Sequence, residues 1–192
     1  MNTNLFELPG NLPVPVNDGA ADHLKGMALP DIALRSTDGS RVQLASLSGH
    51  IVIYVYPMTG RPGVALPDGW DEIPGARGCT PQSCSFRDHY SEFQALKIRV
   101  FGLSTQPSEY QREARDRLQL PFDLLSDSSL QLKKALRLPT FLVQDLELYK
   151  RLTLIVAERK IAQVFYPVFP PDRNVDAVLT WLGQNAQKGI QP

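Results

Sequence analysis

The run HIVIYVYP, His50 to Pro57, is the stretch on which the fold turns. Isoleucine, valine and tyrosine follow one another without the polar alternation of a half-solvated strand. Consecutive β-branched and aromatic side chains suit a strand covered on both faces. Such a strand belongs in the middle of a sheet, with other layers packed above and below.

Working outward, strand-like and helix-like patterns alternate. Upstream, DIALRSTDGSRVQLASL has two short runs around Asp38-Gly39, a hairpin turn signal. Downstream, Phe86, Tyr90, Phe93 and Leu96 recur at spacings of four and three and predict a core-facing helical stripe. Thr80 is the expected N-cap of that helix, with Pro81 at its first position. IRVFGLST (98–105) reads as a strand, PSEYQREARDRLQL as a charged helix, and FDLLSD as a short strand. A helix over SSLQLKKAL follows, then a strand over TFLVQ. LTLIVA and IAQVFY flank Glu158-Arg159-Lys160 as a hairpin, and VDAVLTWLGQN closes as a helix. This order predicts a three-layer α/β sandwich with a central mixed sheet between helices.

The proline-bearing segment 1–28 predicts an irregular N-terminal extension lying over a domain formed by residues 29–192. Residues 58–78 predict a second irregular segment, about twenty residues long, beyond the usual ~12–15 for a purely connecting loop. Trp70 and Ile73 within it predict a packed loop rather than a floppy one.

The composition, 43% hydrophobic and 21% charged, is that of a globular chain. Twenty basic and twenty acidic residues cancel, so charge points neither to nucleic acid nor to an anionic membrane. The N-terminus shows no basic segment followed by an apolar run, and no apolar run is long enough to span a bilayer. A cytoplasmic location is therefore expected.

Both cysteines of the 192-residue chain fall in GARGCTPQSC, Gly75 to Cys84. Four readings compete. A zinc site needs four ligands, and His23, His50 and His89 are scattered. A permanent disulfide meets a geometric obstacle. Residues five apart in an α-helix lie ~8.6 Å apart at Cα, whereas bridged cysteines need roughly 4.4–6.8 Å. Two inert buried thiols remain an option. The fourth reading is redox catalysis. Cys79 sits at a helix start, where unpaired N–H groups and the helix dipole stabilise a thiolate, and Arg77 lies two residues away. The setting favours this last reading, with a sensor or disulfide-exchange module as its rival. No C-x-x-C is present to support disulfide exchange.

YVYPMTG, GCTPQSCSFRDHYSEFQAL, VFGLST, LPFDLLSD and RLTLIVAERKIAQVFYPV together resemble the peroxiredoxin family, nearest its PrxQ or bacterioferritin comigratory group. The likeness covers roughly residues 27 to 183. It implies a thioredoxin-like fold and thiol-dependent reduction of hydrogen peroxide and organic hydroperoxides, with no metal or other cofactor. It implies that Cys79 is the peroxidatic and Cys84 the resolving cysteine, joined transiently in an intramolecular disulfide. Arg151 matches the family's arginine, and Pro57 its strand-end proline. Thioredoxin or glutaredoxin is the implied reductant and a monomer the implied state. Two departures stand out. The hydroxyl residue expected three positions before Cys79 is Ala76, and Pro57 and Cys79 are separated by some fifteen extra residues. Thr59 is the expected replacement hydroxyl, and the inserted loop is expected to lid the Cys79 pocket.

Overall fold

The computed structural model describes residues 4–186, with the side chains of residues 4–185. The buried run becomes the strand β3 (Ile51–Val55), all five residues of which are buried. Its side chains alternate between two cores. Ile51, Ile53 and Val55 join Leu103, Leu125, Leu154 and Val156 on one face. Val52, Tyr54 and Tyr56 join Phe86, Phe93, Val100 and Val178 on the other. The absence of polar alternation follows from this: neither face of the strand meets water.

Around it lies a seven-stranded mixed sheet. Its strands are β1 (Ala33–Ser36), β2 (Arg41–Gln43), β3, β4 (Arg99–Ser104), β5 (Leu124–Ser126), β8 (Leu152–Ala157) and β9 (Lys160–Phe165). They stand in the order β2-β1-β5-β4-β3-β8-β9. β3, β4 and β5 run parallel; β8 runs antiparallel to β3, and β1 antiparallel to β5. The helices α1 (Cys79–Asp88), α2 (Tyr90–Ala95) and α5 (Asn174–Ala186) cover the Tyr54 face. α4 (Gln131–Leu136) and the N-terminal segment, through Leu24, cover the other. α3 (Ser108–Arg117) links β4 to β5. The expected three layers are present.

Three details differ from the expectations. The stripe from Phe86 to Leu96 is not one helix. It breaks at His89, and Leu96 is exposed, because the chain turns there toward β4. LELY forms β7 (Leu146–Tyr149), which pairs with β6 (Thr140–Val143) in a separate hairpin sheet. Its short half-polar run carries too little periodicity to be read. Finally, α1 begins at Cys79, one residue before the expected cap. Gly78, in the left-handed region at φ 103°, makes the turn into the helix, so Thr80 is the second helical residue and Pro81 the third. Pro81 still lies in the first turn, where its missing N–H leaves no helical bond unmade.

Most of the segment before β1 is irregular and lies across the body. Asp18 accepts hydrogen bonds from Lys150 Nζ (2.6 Å) and Tyr166 Oη (2.7 Å), which hold its carboxyl well below the usual range, Lys150 most strongly. A depressed carboxyl contributes stability above its ordinary pKa of ~3.9 and loses it as the pH falls below that value. Asp18→Asn should therefore lower Tm slightly at pH 7, and the gap to wild type should narrow steadily as the pH drops below about 4. A gap that does not change with pH would show that the carboxylate's charge plays no part in docking this segment. No helix among the described residues is long and apolar enough to cross a membrane.

Candidate active site

The strand register assembles the site. β8 runs antiparallel to β3, with Val55 opposite Leu152. The next pair along brings Tyr56, at the carboxyl end of β3, level with Arg151, just ahead of β8. In open α/β sheets, ligand sites form outside the carboxyl ends of the parallel strands, and this is such an end. The N-terminus of α1 reaches the same place after the 58–78 segment.

Here the buried Arg151 guanidinium gathers the loop before the helix. Its Nε donates to Gly75 O (3.2 Å), and its Nη2 to Ala76 O (3.0 Å) and Arg77 O (3.2 Å). Nη2 also lies 3.1 Å from Cys79 Sγ, and Nη1 donates to Gln82 Oε1. Gln82 in turn donates to Asn174 Oδ1 (3.0 Å), which also accepts from Thr153 Oγ1 (2.7 Å). One cation thus sets the loop, the helix and the sulfur relative to one another. Its planar, five-donor fork suits this in a way an ammonium does not.

Cys79 is 4% exposed and opens onto a cavity of about 10 Å³ lined by Leu5, Met58, Gly60, Leu66, Trp70, Arg77, Gly78 and Thr80. As the first residue of α1, it has the positive end of the helix dipole and unpaired backbone N–H groups beside its sulfur. Both cysteines are free thiols. Cys84 is half-buried on the same continuous helix. Burial pushes its thiol up, with Arg87 pulling the other way. Five positions apart on an intact helix, the sulfurs are out of bonding reach until the first turn opens. The arrangement pairs a cation-flanked sulfur at a helix start with a second thiol held apart from it in the folded form.

The Redoxin family profile matches residues 24–179. Peroxiredoxin Q of Sedum lineare, a chloroplastic protein, is 31% identical over 179 residues, covering 92% of this chain and 87% of the relative. The chain belongs to the redoxin family, in its peroxiredoxin Q group. The chloroplastic peroxiredoxin Q of Oryza sativa subsp. japonica is 32% identical over 157 residues, 81% of this chain but only 64% of the rice protein's length. Among solved structures, peroxidoxin BcpB of Mycobacterium tuberculosis is similar at 25% identity and a TM-score of 0.66, over 84% of this chain and 98% of that one. The Xanthomonas campestris bacterioferritin comigratory protein, at 19% identity and a TM-score of 0.63, shares the thioredoxin-like fold over 92% of this chain and 99% of its own.

Set against the peroxiredoxin Q pattern, the expected residues divide. Cys79 and Arg151 come together, and Cys84 lies one turn and a half along the same helix. Pro57 ends the strand, its carbonyl held by Ser104 Oγ (2.8 Å). Thr59 is a correction. Its N–H and hydroxyl both donate to Gln106 Oε1 (2.9 and 3.1 Å), so the hydroxyl proton goes to the loop after β4 and not to Cys79. The buried glutamine returns a bond to Thr59 O (3.2 Å) and closes the pair. Arg77, which could have added charge beside Cys79, is engaged elsewhere. It turns from the sulfur to Asp71 Oδ1 (3.3 Å) and Asn4 O (2.6 Å). Ala76 carries no hydroxyl but supplies a carbonyl to Arg151. Gln82, Asn174 and Gln106 were not expected. Gln82 lies on the helical face of Cys79, three residues on, which is the only trace it leaves in the sequence. Pro139-Thr140 begins the β6–β7 hairpin, where the Thr140 hydroxyl donates to Glu147 (2.8 Å).

Proposed function

We propose that this chain is a thiol-dependent peroxidase with Cys79 as nucleophile and Cys84 as resolving thiol. The observation that carries the reading is the Arg151 Nη2 to Cys79 Sγ approach of 3.1 Å at a helix start. The Cys79 thiolate attacks the terminal oxygen of a hydroperoxide. An S–O bond forms as the O–O bond breaks, and the alcohol or water leaves after taking a proton. Arg151 and the N–H groups of the first turn stabilise the charge shifting along that axis. Cys79 is left as a sulfenic acid. The first turn of α1 then unwinds, and Cys84 attacks the sulfenic sulfur, releasing water and forming the disulfide. An external dithiol protein, thioredoxin or glutaredoxin, returns both thiols by exchange. In this reading residues 29–192 are the catalytic domain, residues 1–28 an extension, and the protein a cytoplasmic monomer.

Peptide-level mass spectrometry after one equivalent of hydrogen peroxide tests the core of it. The expected product is a Cys79–Cys84 disulfide. A free Cys84 beside an over-oxidised Cys79 would reduce the chain to a one-cysteine enzyme. The small pocket beside the buried Cys79 also favours a second reading, a redox sensor. Sustained turnover with a thioredoxin system supports the enzyme, and a single slow oxidation the sensor.

A further inference from the structure

The small pocket that Cys79 lines is walled from two sides. One side is the inserted segment, through Leu66 and the buried Trp70. The other is the N-terminal segment, through Leu5. The three packed surfaces interlock closely: a Cβ built at Gly60 would meet Leu5 Cδ2 at 2.8 Å and Leu66 Cδ2 at 3.1 Å. Leu8 lies over Gly78 in the same way. The space left, about 10 Å³, is close to that of a single water molecule.

The N-terminal part of this cover is lightly held. Among the described residues, Asn4–Leu8 makes no backbone hydrogen bond to a backbone group of the body. Its polar tie is the bond from Arg77 Nη2 to Asn4 O, and Arg77, 6% exposed, is steadied by Asp71. Phe6 faces outward, 57% exposed. Two leucines and one latch therefore keep the segment down. Beside Leu5, Met58, Leu66 and Trp70 supply the apolar part of a lining whose other part is Arg77, Thr80 and the backbone at Gly60 and Gly78.

We propose that Asn4–Leu8, latched by Arg77, sets which hydroperoxides reach Cys79. With it docked, the site takes hydrogen peroxide and excludes bulky organic hydroperoxides. With Leu5 gone, Met58, Leu66 and Trp70 form an apolar wall for the organic group. The proposal rests on the peroxidase reading, and two readouts keep their failures apart. The first is kcat/KM for cumene hydroperoxide and for hydrogen peroxide, in the full chain, in a chain lacking residues 1–8, and in Leu5→Ala. The second needs no peroxide: the rate of Cys79 alkylation by a pyrenyl maleimide relative to iodoacetamide, followed on the Cys79 peptide.

Both changes should raise the cumene-to-hydrogen-peroxide ratio by about ten- to a hundredfold, the range that small differences in apolar pocket space command. The alkylation ratio should rise with it. Ratios that stay within about twofold of the full chain in both assays would overturn the filter. A risen alkylation ratio in forms that consume neither peroxide would leave the filter standing and remove the peroxidase.

Discussion

Cys79→Ser should lower peroxide consumption with a thioredoxin system by at least about 10³-fold, since removing a nucleophile outright leaves only what binding and orientation supply. Serine is the right probe because it changes little else. Cys79 is buried in a close-fitting cavity, and its contacts are the Arg151 guanidinium and a long 3.7 Å approach to Ala76 O. A hydroxyl can keep both. It cannot become an anionic nucleophile at neutral pH, nor can it be carried to a sulfenic acid. Tm should stay within a few degrees of wild type, which separates lost chemistry from lost fold. Full consumption by a folded Cys79→Ser chain would end the peroxidase reading.

Arg151→Lys should be nearly as severe, lowering the second-order rate of Cys79 oxidation by about 10²–10³-fold, the scale found when one preorganised donor to a developing charge is lost. The reason is geometric rather than electrostatic alone. The guanidinium serves three loop carbonyls, Gln82 and the Cys79 sulfur at once. An ammonium has the charge but only three donors on one atom, so it can face the sulfur or hold the loop, not both. Buried carbonyls left unpaired cost about 1–3 kcal/mol each, so Tm should also fall. Stopped-flow oxidation and thermal unfolding of the same sample distinguish the two effects. A lysine variant with an unchanged oxidation rate would show that positive charge alone suffices.

Much of the architecture is legible in the order of residues. The HIVIYVYP run, the Asp38-Gly39 turn and the spacing of Phe86 and Phe93 each report a local environment through local periodicity. The sheet core, the first hairpin and the helix carrying both cysteines follow from them. The motif around Cys79 and the arginine before β8 were recognisable for the same reason: each is a short contiguous pattern. Legibility stopped where a side chain's partner is remote. Thr59 looked available to Cys79, yet Gln106, forty-seven positions away, takes its hydroxyl. Arg77, two positions before Cys79, looked able to add charge there, yet the carbonyl of Asn4, seventy-three positions away, receives it.

The sequence by itself determined the layers of this protein, the helix start at which Cys79 sits, and the five-residue separation that keeps Cys84 out of reach. These are properties of backbone period and local conformation, written within a dozen residues. Only the tertiary structure decided what else the Arg151 fork holds, where the Thr59 hydroxyl goes, and which residues wall the pocket at Cys79. Those outcomes depend on the β3–β8 register, which brings Arg151 level with the end of β3, and on the N-terminal segment closing over the inserted loop. Each joins residues far apart in the chain, and a buried donor goes to whichever acceptor the packing brings within 3 Å.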